Sequence, residues 1–167
     1  FNWKLLTLPN LPGAVSTSLN GISCSSPTRC TAGGYFRTAT SGLRAFADVL
    51  DGNRWSAVHP YSPWMDSSIV SVSCLVGGEC VSAGGYSRGP STGDPLVYIS
   101  GTGQSWTRND PIVPAGVNAN LDFVSCSSPT SCMLVGSRSP LTQPGATPLA
   151  EYWNGAHWTV THTVIGG

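Results

Sequence analysis

Short apolar runs alternate with polar turns along this chain, and no window holds a helical period over three turns. Apolar runs at 21–24, 70–74 and 121–126 each end on a cysteine, and a second set opens on the cysteine six residues later. A third set occupies 45–50, 96–100 and 149–153. A turn follows each of these, and its glycine (Gly52, Gly103, Gly155) stands three residues before a tryptophan (Trp55, Trp106, Trp158). Asp51-Gly52 and Asn154-Gly155 are strong two-residue hairpin turns. The tryptophan begins a fourth run that ends near Pro60, Pro111 or His162. The pattern predicts an all-β chain with four short strands, a to d, in each unit.

The landmarks recur at fixed offsets. Five residues separate Cys24 from Cys30, Cys74 from Cys80 and Cys126 from Cys132, and first cysteines follow one another by 50 and 52 residues. A glycine stands four residues past each second cysteine, at Gly34, Gly84 and Gly136. Four antiparallel strands in about 50 residues fit a β-propeller blade. A β-trefoil is the alternative for three units, although only Gln104-Ser105-Trp106 carries the Gln-x-Trp of trefoil lectins. Trp3, an apolar residue five on and then Pro9 parallel Trp55 to Pro60 and Trp106 to Pro111, so the chain is expected to open on an orphan strand. The expected organisation is residues 1–20 as the last strand of an incomplete blade plus linker, then blades at 21–69, 70–120 and 121–167. Such a partial propeller needs its remaining blades from a second chain segment or a second copy.

Composition narrows the function classes. Hydrophobic residues make up 40% and charged residues only 10%, while 8 basic side chains balance 8 acidic ones. That leaves no field to draw nucleic acid or an anionic membrane. Six cysteines in three evenly spaced pairs point to an oxidising compartment and to the local pairing Cys24–Cys30, Cys74–Cys80 and Cys126–Cys132. A zinc site is excluded on spacing, since no Cys-x-x-Cys exists and the three histidines lie away from the pairs. No metal or cofactor is implied. With no initiator Met, leader or membrane span, the chain reads as a processed, secreted, extracellular product.

The Ser-Cys-Ser-Ser-Pro-Thr-x-Cys stretch at 23–30 and 125–132, the glycine after it and the Asn-Gly-x-x-Trp turn together resemble secreted bacterial seven-bladed β-propeller repeat proteins, typified by the dispase autolysis-inducing protein. The resemblance spans nearly the whole chain and rests on cysteines, turn glycines and core tryptophans. It implies a non-enzymatic protein that binds a protease and is a transglutaminase substrate. Gly-x-x-Trp also resembles the Asp-box hairpin of sialidase-like propellers, but the expected aspartate is Leu50, Ser100 or Trp153, which retains the hairpin and not the sialidase chemistry.

Little else carries chemistry. Gly85 to Gly89 spells the Gly-x-Ser-x-Gly of a nucleophile elbow around Ser87, but that motif works at a strand-to-helix turn and no helix is expected. His59, His157 and His162 have no mutual ligand spacing. Trp55, Trp106 and Trp158, with Trp3, read as core anchors, whereas Trp64 has no counterpart in the other units and is a binding candidate. In a four-stranded meander the a–b and c–d turns share one end, and the b–c and d–a connections share the other. The second end varies in length, with b–c loops expected at 37–44, 88–95 and 138–148, so binding is expected there. Arg37, Arg88 and Arg138 open those loops as cationic donors, and Tyr35 and Tyr86 are aromatic candidates beside them. The expected function is a secreted, non-enzymatic binding protein whose partner is an extracellular protein such as a protease; a carbohydrate-binding lectin is the alternative. Gln143, in the longest b–c loop, where Pro140, Pro144 and Pro148 are expected to block strand pairing, is the expected transglutaminase acyl donor.

Overall fold

The computed structural model describes residues 4–58, 66–89, 92–101, 105–142 and 144–161, and among them finds twelve strands. The first sheet is β1 (Ala14–Ser26), β2 (Arg29–Thr38), β3 (Leu43–Asp51) and β4 (Arg54–Val58). The second is β5 (Ser68–Cys74), β6 (Cys80–Gly89), β7 (Thr92–Ser100) and β8 (Trp106–Arg108). The third is β9 (Val117–Ser128), β10 (Ser131–Pro140), β11 (Thr147–Trp153) and β12 (Trp158–Val160). In each sheet the spatial order follows the chain and every pair is antiparallel, as in a propeller blade. Three separate four-stranded meanders leave the trefoil alternative without support.

The cysteines lie directly opposite one another in the a–b register and are bridged as Cys24–Cys30, Cys74–Cys80 and Cys126–Cys132. The repeat glycine has a packing reason. Strand a bulges in every blade, at Leu19/Gly21, at Ile69/Ser71 and opposite Val135/Gly136. There the carbonyl of Ser18, Ser68 or Asn120 is pressed onto Gly34, Gly84 or Gly136, where a Cβ would overlap it. Only glycine leaves room for this approach.

Each strand a packs on the preceding blade. Ile69 and Val72 of the second blade lie on Ala45 and Ala47 of the first, and Gly33 leaves space for the Ile69 and Val72 methyls. Leu121 and Val124 of the third blade pack with Val81, Ala83 and Val97 of the second. Two of the repeat tryptophans flank these cores. Trp106 lies against the first cluster and Trp158 against the second, where the Trp158 indole donates to the Asn109 carbonyl at 3.0 Å.

Three expectations change. Residues 4–13 form no strand, Trp3 lies outside the described residues, and β1 starts at Ala14, seven residues before 21. Instead the segment turns like the d–a connection at 109–116. Leu11 accepts the Ala14 N–H at 3.1 Å where Pro114 accepts that of Val117 at 3.3 Å, with Gly13 and Gly116 both left-handed. The strands also run into the expected b–c loops, since β2 reaches Thr38, β3 starts at Leu43, β6 reaches Gly89, β7 starts at Thr92, β10 reaches Pro140 and β11 starts at Thr147. Prolines do not stop them. Pro95 and Pro148 sit inside β7 and β11, and Pro140 pairs with Val117, because proline removes only one ladder donor and fits where that donor is not needed.

Candidate binding cleft

A cleft of about 670 Å³ lies between the second and third blades, at the b–c and d–a end. This is the end at which the variable-loop argument expects binding. The cleft is assembled from strand ends rather than loops. Ser68 of β5, Tyr86 and Ser87 of β6, Thr92 of β7, Asn118, Asn120 and Asp122 of β9, and Ser139 of β10 all reach it, with Asp66 just before β5.

Specific contacts hold these groups in place. Asn118 crosses between blades, and its Oδ1 accepts the Gly93 N–H at 3.0 Å. Asn120 follows two residues on, and any side chain at Gly93 would meet its Oδ1. Asp66 has a left-handed backbone, φ 56°, and its Oδ1 accepts the Leu43 N–H at 3.1 Å. The neighbouring Ser67 is fully buried and its hydroxyl accepts the Ala45 N–H at 3.0 Å, so Asp66 is anchored to the first blade. Asp122 is the extra residue of the third bulge, which turns it out of the ladder. The lining is amide, hydroxyl and carboxylate, and none of its described residues is Lys or Arg.

The sequence-predicted residues are distributed differently. Arg37, Arg88 and Arg138 stand three, four and two residues past their repeat glycines, so they do not form one row. All three lie in strands. Arg88 uses Nε and Nη2 on the two carboxylate oxygens of the nearly buried Asp94, at 2.5 and 2.6 Å. That bond raises the Arg88 pKa and commits two of its donors. Arg37 is exposed beside a separate shallow depression with Val15 and Ser41. Arg138 lies by Glu151 on the third blade.

Tyr35 and Tyr86, one and two residues past their glycines, point to opposite faces of their blades. Only Tyr86 reaches the cleft, and the Arg108 guanidinium covers its ring at 4.8 Å from the centroid. Trp64 and Gln143 lie outside the described residues. Asn118, Asn120, Asp122 and Asp66 escaped sequence reasoning, although Asp66 and Asn118 hold one repeat position, eight residues before Cys74 and Cys126, and accept equivalent N–H groups of the preceding blade, those of Leu43 and Gly93. Their signal is that strand a turns polar just before its bulge.

The serine of the elbow-like stretch is tied down. Ser87 sits within strand β6 and its hydroxyl donates to the Gly89 carbonyl at 2.5 Å. Among the described residues no group of three His, Cys, Asp or Glu side chains is placed to hold a metal, and no helix is long and apolar enough to cross a membrane.

No family model matches the chain, and neither does any curated protein. Solved structures do match. One described as YCF48 bound to D1 peptide superposes with a TM-score of 0.56 at 15% identity, over 96% of this chain and 45% of that one. A GH74 xyloglucanase from Xanthomonas campestris gives 0.55 at 16% identity, over 90% of this chain and 23% of that one. The chain thus spans less than half the length of either. Both are β-propellers, and the three meanders here are propeller blades. At these identities the likeness carries the fold alone, and the three disulfides point to an oxidising environment.

Proposed function

We propose that this chain is a non-enzymatic binding protein that takes an extended segment of an extracellular protein into the cleft between its second and third blades. One observation carries the reading. Strand ends from two blades bring two amides, two carboxylates and several hydroxyls around one cleft with no cation among them. Amides and hydroxyls pair readily with a peptide backbone, and Asp66 with Asp122 favours a segment carrying Lys or Arg. A propeller of this fold described as bound to a peptide supports the same mode. The non-enzymatic reading draws on Ser87, whose hydroxyl is engaged with the Gly89 carbonyl. A protease is the partner that the sequence resemblance favours, and the same resemblance makes Gln143 a transglutaminase acyl donor, flanked by exposed Thr142 and Pro144. Secretion accords with the disulfides.

The test is binding of the 167-residue chain to a peptide array graded in Lys and Arg content, with a glycan array alongside. Basic extended peptides are expected to bind, and Asp122→Lys to abolish their signal. Binding to glycans with none to peptides would replace this reading with the lectin.

A further inference from the structure

The second blade departs from the other two at its a–b and c–d end, away from the cleft, and its departures meet at one place. Its a–b turn carries Leu75 where the first and third blades carry Ser25 and Ser127. Each of those serines donates at 3.4 Å to the carbonyl of the residue before the second cysteine, Arg29 or Ser131. Leu75 has no hydroxyl, and its turn closes through the backbone, the Leu75 N–H donating to the Glu79 carbonyl at 2.8 Å. Glu79 in turn replaces Arg29 and Ser131, which reverses the charge found in the first blade. Gly101 stands where the others have Asp51 and Asn154, counting from the residue opposite the second cysteine. Serine closes this turn in two blades, so turn closure does not explain Leu75.

Leu75, Glu79 and Gly101 line one pocket of about 190 Å³ between the second and third blades. Val81 and Ile99 add apolar surface from the second blade, and Pro129, Cys126 and Cys132 face them from the third. A Cβ at Gly101 would meet nothing within 4 Å, so the glycine leaves that side open. The two hydroxyls of the lining are already used. Ser73 Oγ accepts the Cys126 N–H at 3.0 Å, and Ser100 Oγ accepts that of Cys80 at 3.0 Å. Glu79 is the one charged residue of the lining. Its carboxylate folds over Gly77, where a side chain would meet it, and has no hydrogen bond or ion pair among the described residues.

We propose that this pocket is a second binding site and takes a small aromatic cation, an aryl group joined to an ammonium by a short alkyl chain. Size and chemistry choose the occupant. An apolar cavity of about 150 Å³ holds one benzene ring, so this pocket has room for a phenyl group. Sulfur beside a ring is a favourable contact, and the half-cystines of the lining supply it. Glu79 is partly exposed, so its carboxylate stands where the pocket meets solvent. An ammonium there forms a charge-assisted bond with it, whereas a neutral ligand leaves the charge unpaired and an anion is repelled. A sugar fits poorly, because the hydroxyls of the lining are engaged within the chain. The pocket shares no residue with the cleft, so this site and the peptide reading can fail separately.

Titration of the isotope-labelled 167-residue chain with phenethylammonium to about 10 mM, followed by amide NMR shifts, tests the site. A ligand this small is expected to bind with a dissociation constant of about 1 mM or tighter. Shifts should concentrate at Glu79, Val81, Ile99 and Gly101. Benzyl alcohol keeps the ring and butylammonium keeps the cation, so each should bind about tenfold more weakly, having only one of the two contacts. Glu79→Gln keeps the shape without the charge and should weaken phenethylammonium about tenfold while leaving benzyl alcohol unchanged. Glu79→Arg and Leu75→Ser install residues that other blades carry at these positions, so both should fold and both should weaken binding. If Leu75→Ser loses its dispersed amide spectrum, Glu79→Gln decides by itself. The proposal is overturned by shifts that do not saturate, or by shifts at Asn118 and Asp122 in place of Glu79. A control that binds as tightly as phenethylammonium, or equal binding to wild type and Glu79→Gln, would overturn it as well.

Discussion

Ser73 Oγ accepts the backbone N–H of Cys126, one blade further on, at 3.0 Å. Strand a is the edge strand of its sheet, so this donor has no ladder partner and the serine of the preceding blade supplies one. Replacing Ser73 by Ala removes the acceptor and leaves a half-buried donor unpaired. The expected loss is about 1–3 kcal/mol in urea denaturation. Ser125→Ala, measured in dilute single chains, should stay within about 0.5 kcal/mol of wild type. Equal losses at the two positions would refute the inter-blade role of the serine.

The close approach of the Ser68 carbonyl to Gly84 makes a second, sharper test. A methyl at Gly84 overlaps backbone, which cannot swing aside as a side-chain tip would, so Gly84→Ala must open the bulge. A loss of about 3 kcal/mol or more is expected, comparable to severe overpacking. Gly101→Ala is the control, since a Cβ there meets nothing within 4 Å. It should be nearly neutral by thermal melting.

The Cys74–Cys80 bridge closes a ring with a sequence separation of 6 across the a–b turn. Loop-closure entropy for so short a ring is worth about 2 kcal/mol. The double substitution of Cys74 and Cys80 by Ala should cost about that much, with β circular dichroism retained. The corresponding pair Cys24 and Cys30 should show a similar loss, because both bridges join directly opposed residues. A loss confined to one pair would mean that the bridges are not equivalent.

Much of the fold was legible because its determinants are local and repeated. Cysteines six apart, a glycine four further on and a Gly-x-x-Trp turn each define a register by themselves, and three copies remove the ambiguity of one. The site was less legible because it depends on where strands end and which blades face each other. Arg37, Arg88 and Arg138 look alike as loop openers, yet counting from Gly34, Gly84 and Gly136 separates them by register, a signal present in the sequence. The Arg88–Asp94 pair needs the β6–β7 register, which sets Tyr86 opposite Asp94. Asn118 and Asn120 acquire meaning only when the third blade is laid against Gly93 of the second. The prolines misled because their usual role as strand breakers fails at positions that need no donor.

The same blade position carries a buried carboxyl twice. Asp48, Tyr98 and Glu151 stand opposite Ala32, Ser82 and Leu134, and the two acids are only 1% and 3% exposed. Asp48 Oδ1 has no hydrogen-bond partner among the described residues. Burial raises its pKa from 3.8 to about 6. Burial likewise raises Glu151 from 4.5 to about 7, against a smaller opposing pull from Arg138. Both folded values lie above the unfolded ones, so the folded chain holds these protons more tightly. Their contribution to stability is whole below about pH 4 and is lost as pH rises through about 6 for Asp48 and about 7 for Glu151. Shifts of this size correspond to on the order of 2–3 kcal/mol for each group. Asp48→Asn and Glu151→Gln keep the shape and cannot ionise. Each is expected to raise stability at pH 8 by on the order of 1–3 kcal/mol and to flatten the slope between pH 4 and 7. Urea midpoints at unit pH steps from 4 to 8 would measure this. Variants that keep the full wild-type slope would show that both carboxyls ionise freely in the folded chain.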